Sequence, residues 1–323
     1  MKAIVHTRYG SLEGLELRKV PAPVPKDNEV LIKVAATSLN AADYLMLGGL
    51  IPRLMGFGIF HPNDRILGSD VSGTIEAVGK LVQLFKPGDR VYGDIAESGY
   101  GGLAEYVCVG ESALAKIPET ISFDVAAAVP LAAITAWRAI KEKAAVTAGQ
   151  TVLINGASGG VGTYAVMLAK ALGARVTAVC STRNQDLARS IGADHVIDYT
   201  SENFTSKNEC YDVILAANGY HPLSHYRRVL NPQGIYVVTG GPMKQIFAGA
   251  LMGSLLSRKG GQTFISVSSK SDGQILALIS ELLEAGKIKP VIDRIYPLEE
   301  TVDAFRYVLN DHPQGKVVVR IES

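Results

Sequence analysis

The residues with the clearest chemical potential lie in one short run, Asn155-Gly-Ala-Ser-Gly-Gly-Val-Gly162. It follows the apolar stretch Thr151–Asn155 and opens a segment with Tyr164, Met167, Leu168, Ala171 and Leu172 at helical spacing. Two chemistries use such a strand–turn–helix. Glycines at 156, 159, 160 and 162 would let the backbone approach a diphosphate, with the unpaired N–H groups and the positive end of the helix dipole aimed at the anion. The same residues satisfy Gly-x-Ser-x-Gly over Gly156–Gly160, a nucleophile elbow that would present Ser158 for acyl transfer.

The flanking sequence separates the two readings. A dinucleotide site needs a second strand about twenty residues on, whose end meets the adenosine ribose. The chain supplies Gly173-Ala-Arg-Val-Thr-Ala-Val-Cys180, followed by Ser181, Thr182 and Arg183. An elbow needs an acid and then a histidine; Asp198 or Asp212 with His221, His225 or His312 can be nominated, but no motif marks them. Nucleotide binding is therefore the reading taken. The strand end also speaks to the guest. It offers no carboxylate for a 2′-hydroxyl, whereas Ser181 and Arg183 would hold a 2′-phosphate by charge-assisted hydrogen bonds, which favours NADP(H). The alternative is that Arg183 is a solvated surface arginine.

The elements around this turn fall into two groups. Before about residue 123 the chain is β-rich. Lys2–His6, Leu15–Lys19, Val30–Thr37, Val71–Val78, Arg90–Gly93 and Glu105–Val109 read as short strands, and the three prolines of Val20–Pro25 mark an extended linker. Ala126–Lys141 reads as helix interrupted by Pro130. Strands and helices then alternate through Gly234–Thr239 to a sixth strand at Gln262–Val267, the pattern of a doubly wound parallel sheet. The tail, with a helix at Ile275–Glu284, a strand at Val291–Pro297, a helix at Glu300–Leu309 and a strand at Lys316–Ile321, resumes the β-rich character of the start. The expected division is residues 1–124 with 270–323 in one domain and 125–269 in the other. The apolar run 242–261 reads as a core or interface helix, or as the wall of an apolar substrate pocket.

Composition narrows the function further. With 323 residues, 47% hydrophobic and 20% charged, the chain has room for two cores and an ordinary globular make-up. A net charge of +1 without a basic block argues against nucleic acid as a partner. No run is long and apolar enough for a membrane span, the N-terminus lacks a signal-peptide core, and three scattered cysteines fit a reducing compartment. A cytoplasmic enzyme is the expectation. His221-Pro-Leu-Ser-His225 has a spacing that would put two imidazoles on one helix face, near Cys210 and Asp212; surface histidines on a helix capping the sheet are the favoured reading.

Taken together, these stretches resemble the medium-chain dehydrogenase/reductase superfamily, in its zinc-independent quinone oxidoreductase-like branch, which includes the alkenal/enone reductases. The resemblance is carried by Asn40-Ala-Ala-Asp43, Leu67–Gly73 with Val78-Gly79, Lys86–Val91, Gly101–Tyr106, Pro130 with Thr135-Ala136, Asn155–Gly162, Leu187–Tyr199 and Gly315–Val318. It implies an α/β chain with a GroES-like β-barrel catalytic domain and a Rossmann domain, the cofactor lying in the cleft between them. The zinc alcohol dehydrogenases of the superfamily place cysteine at the Asn40 position and histidine at the Ser69 position; an amide and a hydroxyl are poor zinc ligands, so no metal is expected.

The resemblance also implies roles for single residues. Asn40 would lie near the nicotinamide and Thr135 beside its ring, while Tyr44 is a candidate to donate a proton, a task water could also serve, or to orient the substrate, or else it simply packs in the barrel. Asp43 would hold its loop. Ser158, Gly159, Gly160 and Val161 would meet the pyrophosphate, and Ser181 and Arg183 the 2′-phosphate, with Tyr199 beside it or beside the adenine. Asn218 and Thr239–Gly241 (Thr239 and Gly240 first) would line the cofactor at the carboxyl ends of the fourth and fifth strands, and Lys316 would touch a phosphate or the nicotinamide side. The expected function is NADPH-dependent hydride transfer to a small apolar enone, enal or quinone. The alternatives are an enoyl-thioester reductase, which would need a basic patch such as Arg258-Lys259 at its mouth, and a non-catalytic NADPH-binding protein. The edge strand Gln262–Val267 makes a homodimer plausible.

Overall fold

The computed structural model of the chain describes residues 1–54, 58, 60–63, 65–242, 245 and 261–321. The strands in chain order are β1 (Lys2–His6), β2 (Leu15–Lys19), β3 (Glu29–Leu39), β4 (Arg65–Ile66), β5 (Asp70–Val78), β6 (Arg90–Asp94), β7 (Tyr106–Gly110) and β8 (Leu114–Lys116). They continue with β9 (Thr151–Asn155), β10 (Arg175–Cys180), β11 (His195–Asp198), β12 (Tyr211–Ala216), β13 (Leu230–Val238), β14 (Thr263–Ser266), β15 (Ile292–Pro297) and β16 (Lys316–Arg320). The chain divides into two compact units. Unit 1 is Met1–Ile134, Lys270–Glu284 and Pro290–Ser323; unit 2 is Thr135–Ser269 and Ala285–Lys289.

Unit 1 carries two sheets, β2-β1-β4 and β15-β16-β3-β5-β6-β8, with β7 also on β3. The strand β3 organises the larger one. Its Val30–Lys33 segment pairs with β5 on one side and β7 on the other, and its Ala36–Leu39 segment pairs with β16. Register shifts against β5, between Leu31/Ile32 and Val34/Ala36, bend the strand so that it changes neighbours along its length. Alternate residues Val30, Ile32 and Val34 enter a core with Val71, Ile75, Val91, Val107 and Val109.

Unit 2 is a six-stranded sheet in the order β11-β10-β9-β12-β13-β14, parallel throughout. Counted from β9, this is the doubly wound order 3-2-1-4-5-6, and the winding direction reverses between β9 and β12. Continuous apolar runs such as Val152–Ile154 and Val213–Ala216 are buried, as strands covered by helices on both faces must be.

Several boundaries differ from those the sequence predicts. Helices at Ala41–Leu47 and Leu50–Leu54 occupy a stretch read only as barrel. Pro130 does not interrupt a helix; it starts one, Pro130–Trp137, since its missing N–H falls where no intrahelical partner is needed. The preceding helix, Phe123–Ala127, is capped by the Ser122 hydroxyl, which accepts from the Val125 N–H at 3.3 Å. β13 begins at Leu230 instead of Gly234, because Leu230 pairs with Tyr211 ahead of a register shift. The apolar run expected over 242–261, with Arg258 and Lys259, lies outside the described residues except for 242, 245 and 261.

Candidate functional site

The chemistry-bearing residues of unit 1 are gathered by strand register. Val317 faces Leu39 in the β16–β3 ladder, so the next step brings Lys316 beside Asn40. Ser72 faces Ala36 in the β3–β5 ladder, and two steps along Asp70 arrives across from Ser38. Asn40 is the N-cap of the helix Ala41–Leu47, and its backbone N–H donates to Asp43 Oδ2 at 2.8 Å, which fixes the exit of β3.

A connected, buried polar cluster results. Ser38 Oγ donates to Asp70 Oδ2 at 2.6 Å. Asn40 Nδ2 donates to the same oxygen at 2.7 Å and to Ser69 Oγ at 3.0 Å, and Ser69 Oγ donates onward to Asp43 Oδ2 at 3.1 Å. Lys316 Nζ donates to Leu39 O at 3.1 Å and to Asn40 Oδ1, and stands 3.4 Å from Asp70 Oδ2. Asp43, Ser69 and Asp70 are fully buried, and Lys316 is only 3% exposed. Burial pushes the Asp43 carboxyl up to about 7, helped by the Asp70 charge and opposed by the Asn40 N–H, Lys316 and Ser69. Protonation of Asp43 leaves Lys316 and Asp70 as a charge-balanced buried pair. The half-buried Tyr44 packs against a core containing Leu39, Met46, Leu67 and Leu103, and burial raises its phenol.

These groups do not fit a zinc ion. At the positions of interest stand an amide, a hydroxyl and two carboxylates already engaged, with an ammonium among them that would repel a dication. Among the described residues no group of three or more His, Cys, Asp or Glu could hold a metal. His221 precedes the helix Leu223–Arg228 and His225 lies within it, with their ring centroids 6.4 Å apart. The His221 ring also meets Phe204 edge-on at 4.8 Å and Tyr226 at 5.7 Å, at the end of an aromatic cluster.

In unit 2 the glycine turn follows β9 directly. Gly156 has φ +83°, and a Cβ there would meet the Asn218 Cβ at 2.6 Å. A Cβ on Gly162 would lie 2.1 Å from Gly156 O. Only glycine lets the turn and the first helical turn approach this closely. Gly159 is the N-cap of the helix Gly160–Ala171, whose first turn includes Val161 and leaves N–H groups unpaired at its start. Asn218, exposed after β12, holds its own turn through Gly219 N–H to Oδ1 at 2.8 Å. Thr239 follows β13, and among the described residues its buried Oγ1 has no hydrogen-bond partner. A Cβ on Gly240 would meet Ala217 O at 2.4 Å. The glycine cradle, the helix start and the orphaned Thr239 hydroxyl at the carboxyl ends of the strands fit a dinucleotide.

The shelf after β10 sorts its hydroxyls. Thr182 Oγ1 donates to Asp198 Oδ2 at 2.5 Å, and together with Thr200 it holds that carboxyl down at about 2. Ser181 Oγ instead accepts from Asn184 Nδ2, as does Ser158 Oγ. Arg183 is exposed, and Tyr199, after β11, is 60% exposed. Thr135 is buried in the helix Pro130–Trp137.

Sequence reading therefore anticipates the turn but misses Ser38, Asp70 and Asn184. Asp70 sits inside a quoted motif without a role, and only the β3–β5 register reveals its partners. Asn40 with Asp43 three residues on does carry a helix-start signal that would have located the helix Ala41–Leu47.

Comparison with known proteins agrees with this architecture. The family described as "Alcohol dehydrogenase GroES-like domain" matches residues 26–119, and "Zinc-binding dehydrogenase" matches residues 191–319. The chain is 36% identical to a 2-methylene-furan-3-one reductase of Solanum lycopersicum, over 99% of this chain and 79% of that protein. It is 34% identical to an NADPH-dependent alkenal/one oxidoreductase, chloroplastic, of Arabidopsis thaliana, with the same two coverages, 99% and 79%. The solved quinone oxidoreductase from Coxiella burnetii superposes with a TM-score of 0.89 at 30% identity, over 99% of each chain. With a GroES-like domain, a Rossmann-like parallel sheet and relatives of this kind along its whole length, the chain belongs to the medium-chain dehydrogenase/reductase superfamily, in its quinone oxidoreductase-like branch, and is an oxidoreductase.

Proposed function

We propose that this protein is a zinc-independent reductase that uses NADPH to reduce a small apolar α,β-unsaturated carbonyl or a quinone. One observation carries the zinc-free part: a buried lysine–aspartate pair with Asn40 and Ser69 stands where a zinc enzyme of the superfamily would place its ligands. The relatives named for enone, alkenal and quinone reduction support the substrate class. When bound, NADPH supplies the hydride. The chain's residues bind and orient. Ser158, Gly159, Gly160 and Val161 hold the pyrophosphate at the helix start, Ser181 and Arg183 hold the 2′-phosphate beside Tyr199, and Asn218, Thr239 and Gly240 line the strand ends. Thr135 closes the wall at the nicotinamide. On the substrate side we assign Asn40 and Tyr44. Burial raises the Tyr44 phenol above its ordinary value, and its O–H would serve as a proton donor or a substrate-orienting hydroxyl. Lys316 fixes the Asn40 amide through Oδ1, so that its action on any phosphate or nicotinamide runs through the cluster.

The test is oxidation of NADPH and NADH against a 2-alkenal, an enone, a quinone and a crotonyl thioester, each with and without chelator. Turnover of the first three with NADPH, unchanged by chelator, is expected. Loss of activity with chelator overturns the zinc-free reading, and equal use of NADH overturns the assignment of Ser181 and Arg183. Preference for the thioester makes the protein an enoyl-thioester reductase, and binding of NADPH without turnover makes it a binding protein. We also propose a homodimer through the β14 edge and a cytoplasmic location. The first is read by light scattering on the same sample and the second by cell fractionation, since relatives include chloroplastic and mitochondrial proteins. No helix of the described residues is long and apolar enough to cross a membrane.

A further inference from the structure

Asn184 lies outside every motif that carries the family resemblance to the glycine turn, yet its side chain joins the two phosphate-facing loops. It ends the single 3-10 turn Thr182–Asn184 and is the N-cap of the helix Gln185–Ser190. Asparagine at an N-cap ordinarily accepts a hydrogen bond from the N2 or N3 backbone N–H, and losing that bond costs about 1 kcal/mol. Here the side chain makes no such bond. It is 5% exposed and turned back toward the sheet, where Nδ2 donates to Ser158 Oγ at 2.9 Å and to Ser181 Oγ at 3.1 Å. Both amide hydrogens are therefore directed at serines that lie on different loops, one after β9 and one after β10.

The sense of these bonds matters. A serine hydroxyl has one proton to give and lone pairs to accept with. Each serine oxygen that receives an Asn184 N–H has its own O–H turned away from the amide, available for an anion. We infer that Asn184 is a positioning residue for NADP(H): its amide group locks Ser158 and Ser181 as donors, one toward the pyrophosphate and one toward the 2′-phosphate, and so helps set the preference for the phosphorylated cofactor. The inference rests on the NADP(H) reading above. The neighbouring Thr182 cannot replace Ser181, because its hydroxyl is already given to Asp198 at 2.5 Å.

The informative substitution is Asn184→Asp. Aspartate is as good an N-cap as asparagine, so the helix Gln185–Ser190 keeps or gains stability. Its carboxylate, however, can only accept, so it draws both serine protons inward and adds a negative charge beside the phosphates. Asn184→Ala removes the bridge without reversing it. Equilibrium binding to the full chain is measured by titration with NADPH, NADH, adenosine 2′,5′-bisphosphate and 5′-ADP, alongside urea unfolding. For NADPH and the 2′,5′-bisphosphate, affinity should fall about tenfold in Asn184→Ala and further in Asn184→Asp, the loss expected for a hydrogen bond to a charged group. NADH and 5′-ADP should lose less, since they keep only the Ser158 arm. The unfolding midpoint of Asn184→Asp should stay at or above that of the unsubstituted chain. Retained NADPH affinity in Asn184→Asp, or a loss that tracks a lowered unfolding midpoint in both variants, overturns the positioning role. Failure of the unsubstituted chain to bind NADPH more tightly than NADH overturns the NADP(H) reading itself, a different outcome read in the same titration.

Discussion

At the scale of single residues, the interior of unit 1 is unusual for its charges. Isolated charges are rarely buried because desolvation is costly, and a buried pair holds only if its remaining groups are hydrogen-bonded. Lys316 meets this condition through the Leu39 carbonyl and the Asn40 amide oxygen, and Asp70 through Ser38, Asn40 and the Leu131 N–H at 2.8 Å. Asp43 does not meet it fully, since its Oδ1 is buried without a partner among the described residues. Burial accordingly holds its carboxyl at about 7, above the ordinary range. The folded protein thus retains a proton that the unfolded chain releases between about pH 4 and pH 7. The stability this residue contributes is present below about pH 4 and lost as pH rises through 7, with a slope of up to about 1.4 kcal/mol per pH unit. In urea unfolding across pH 5 to 8, Asp43→Asn should flatten the decline seen in the unsubstituted protein. Parallel curves for the two proteins would show that Asp43 is ionised throughout.

At the scale of elements, the strand–turn–helix after β9 depends on contacts within a few residues. Gly162 lies against Gly156 O and the Ala157 Cα, both backbone, so a methyl there forces the turn apart. Gly162→Ala should destabilise the chain by about 1–3 kcal/mol in urea unfolding, whereas Gly159→Ala, whose Cβ would meet only Gly156 O at 3.7 Å, should cost about 0.5 kcal/mol or less. Equal losses would mean that the turn yields freely. This locality explains what the sequence made legible. β12 and the six-strand alternation were readable because apolar runs and glycine spacing are local signals. The Lys316–Asp70 pair was not, because it joins residues 246 positions apart through two ladders whose register no single segment encodes. Asn184 was hidden for another reason: its type announces a cap, and only the packed fold turns the side chain to Ser158 and Ser181. The helix Ala41–Leu47 is signalled locally as well, by Asn40 at its N-cap and Asp43 three residues on.

At the scale of the whole molecule, the bulk of unit 2 is one continuous stretch of sequence, Thr135–Ser269, with segments of unit 1 before and after it along the chain. β3 borders β16, the last strand of the chain, and the polar cluster around Asn40 is closed by the first residue of that strand. During synthesis, which runs from the N-terminus at about 5–20 residues per second, the parallel sheet of unit 2 has all of its strands once Ser266 is out. The Ala36–Leu39 segment must wait about fifty further residues for its partner, or several seconds. In the interval, Asp70 lacks the Lys316 ammonium and the Ala36–Leu39 segment lacks its β16 ladder. Pulse-labelling hydrogen exchange on stalled chains should find β9, β10 and β12 protected before Thr37 and Leu39; simultaneous protection would show that the edge is covered by other means. The buried polar cluster of Asn40, Asp70 and Lys316 is thus completed late, when β16 supplies the ammonium that β3 and β5 lack.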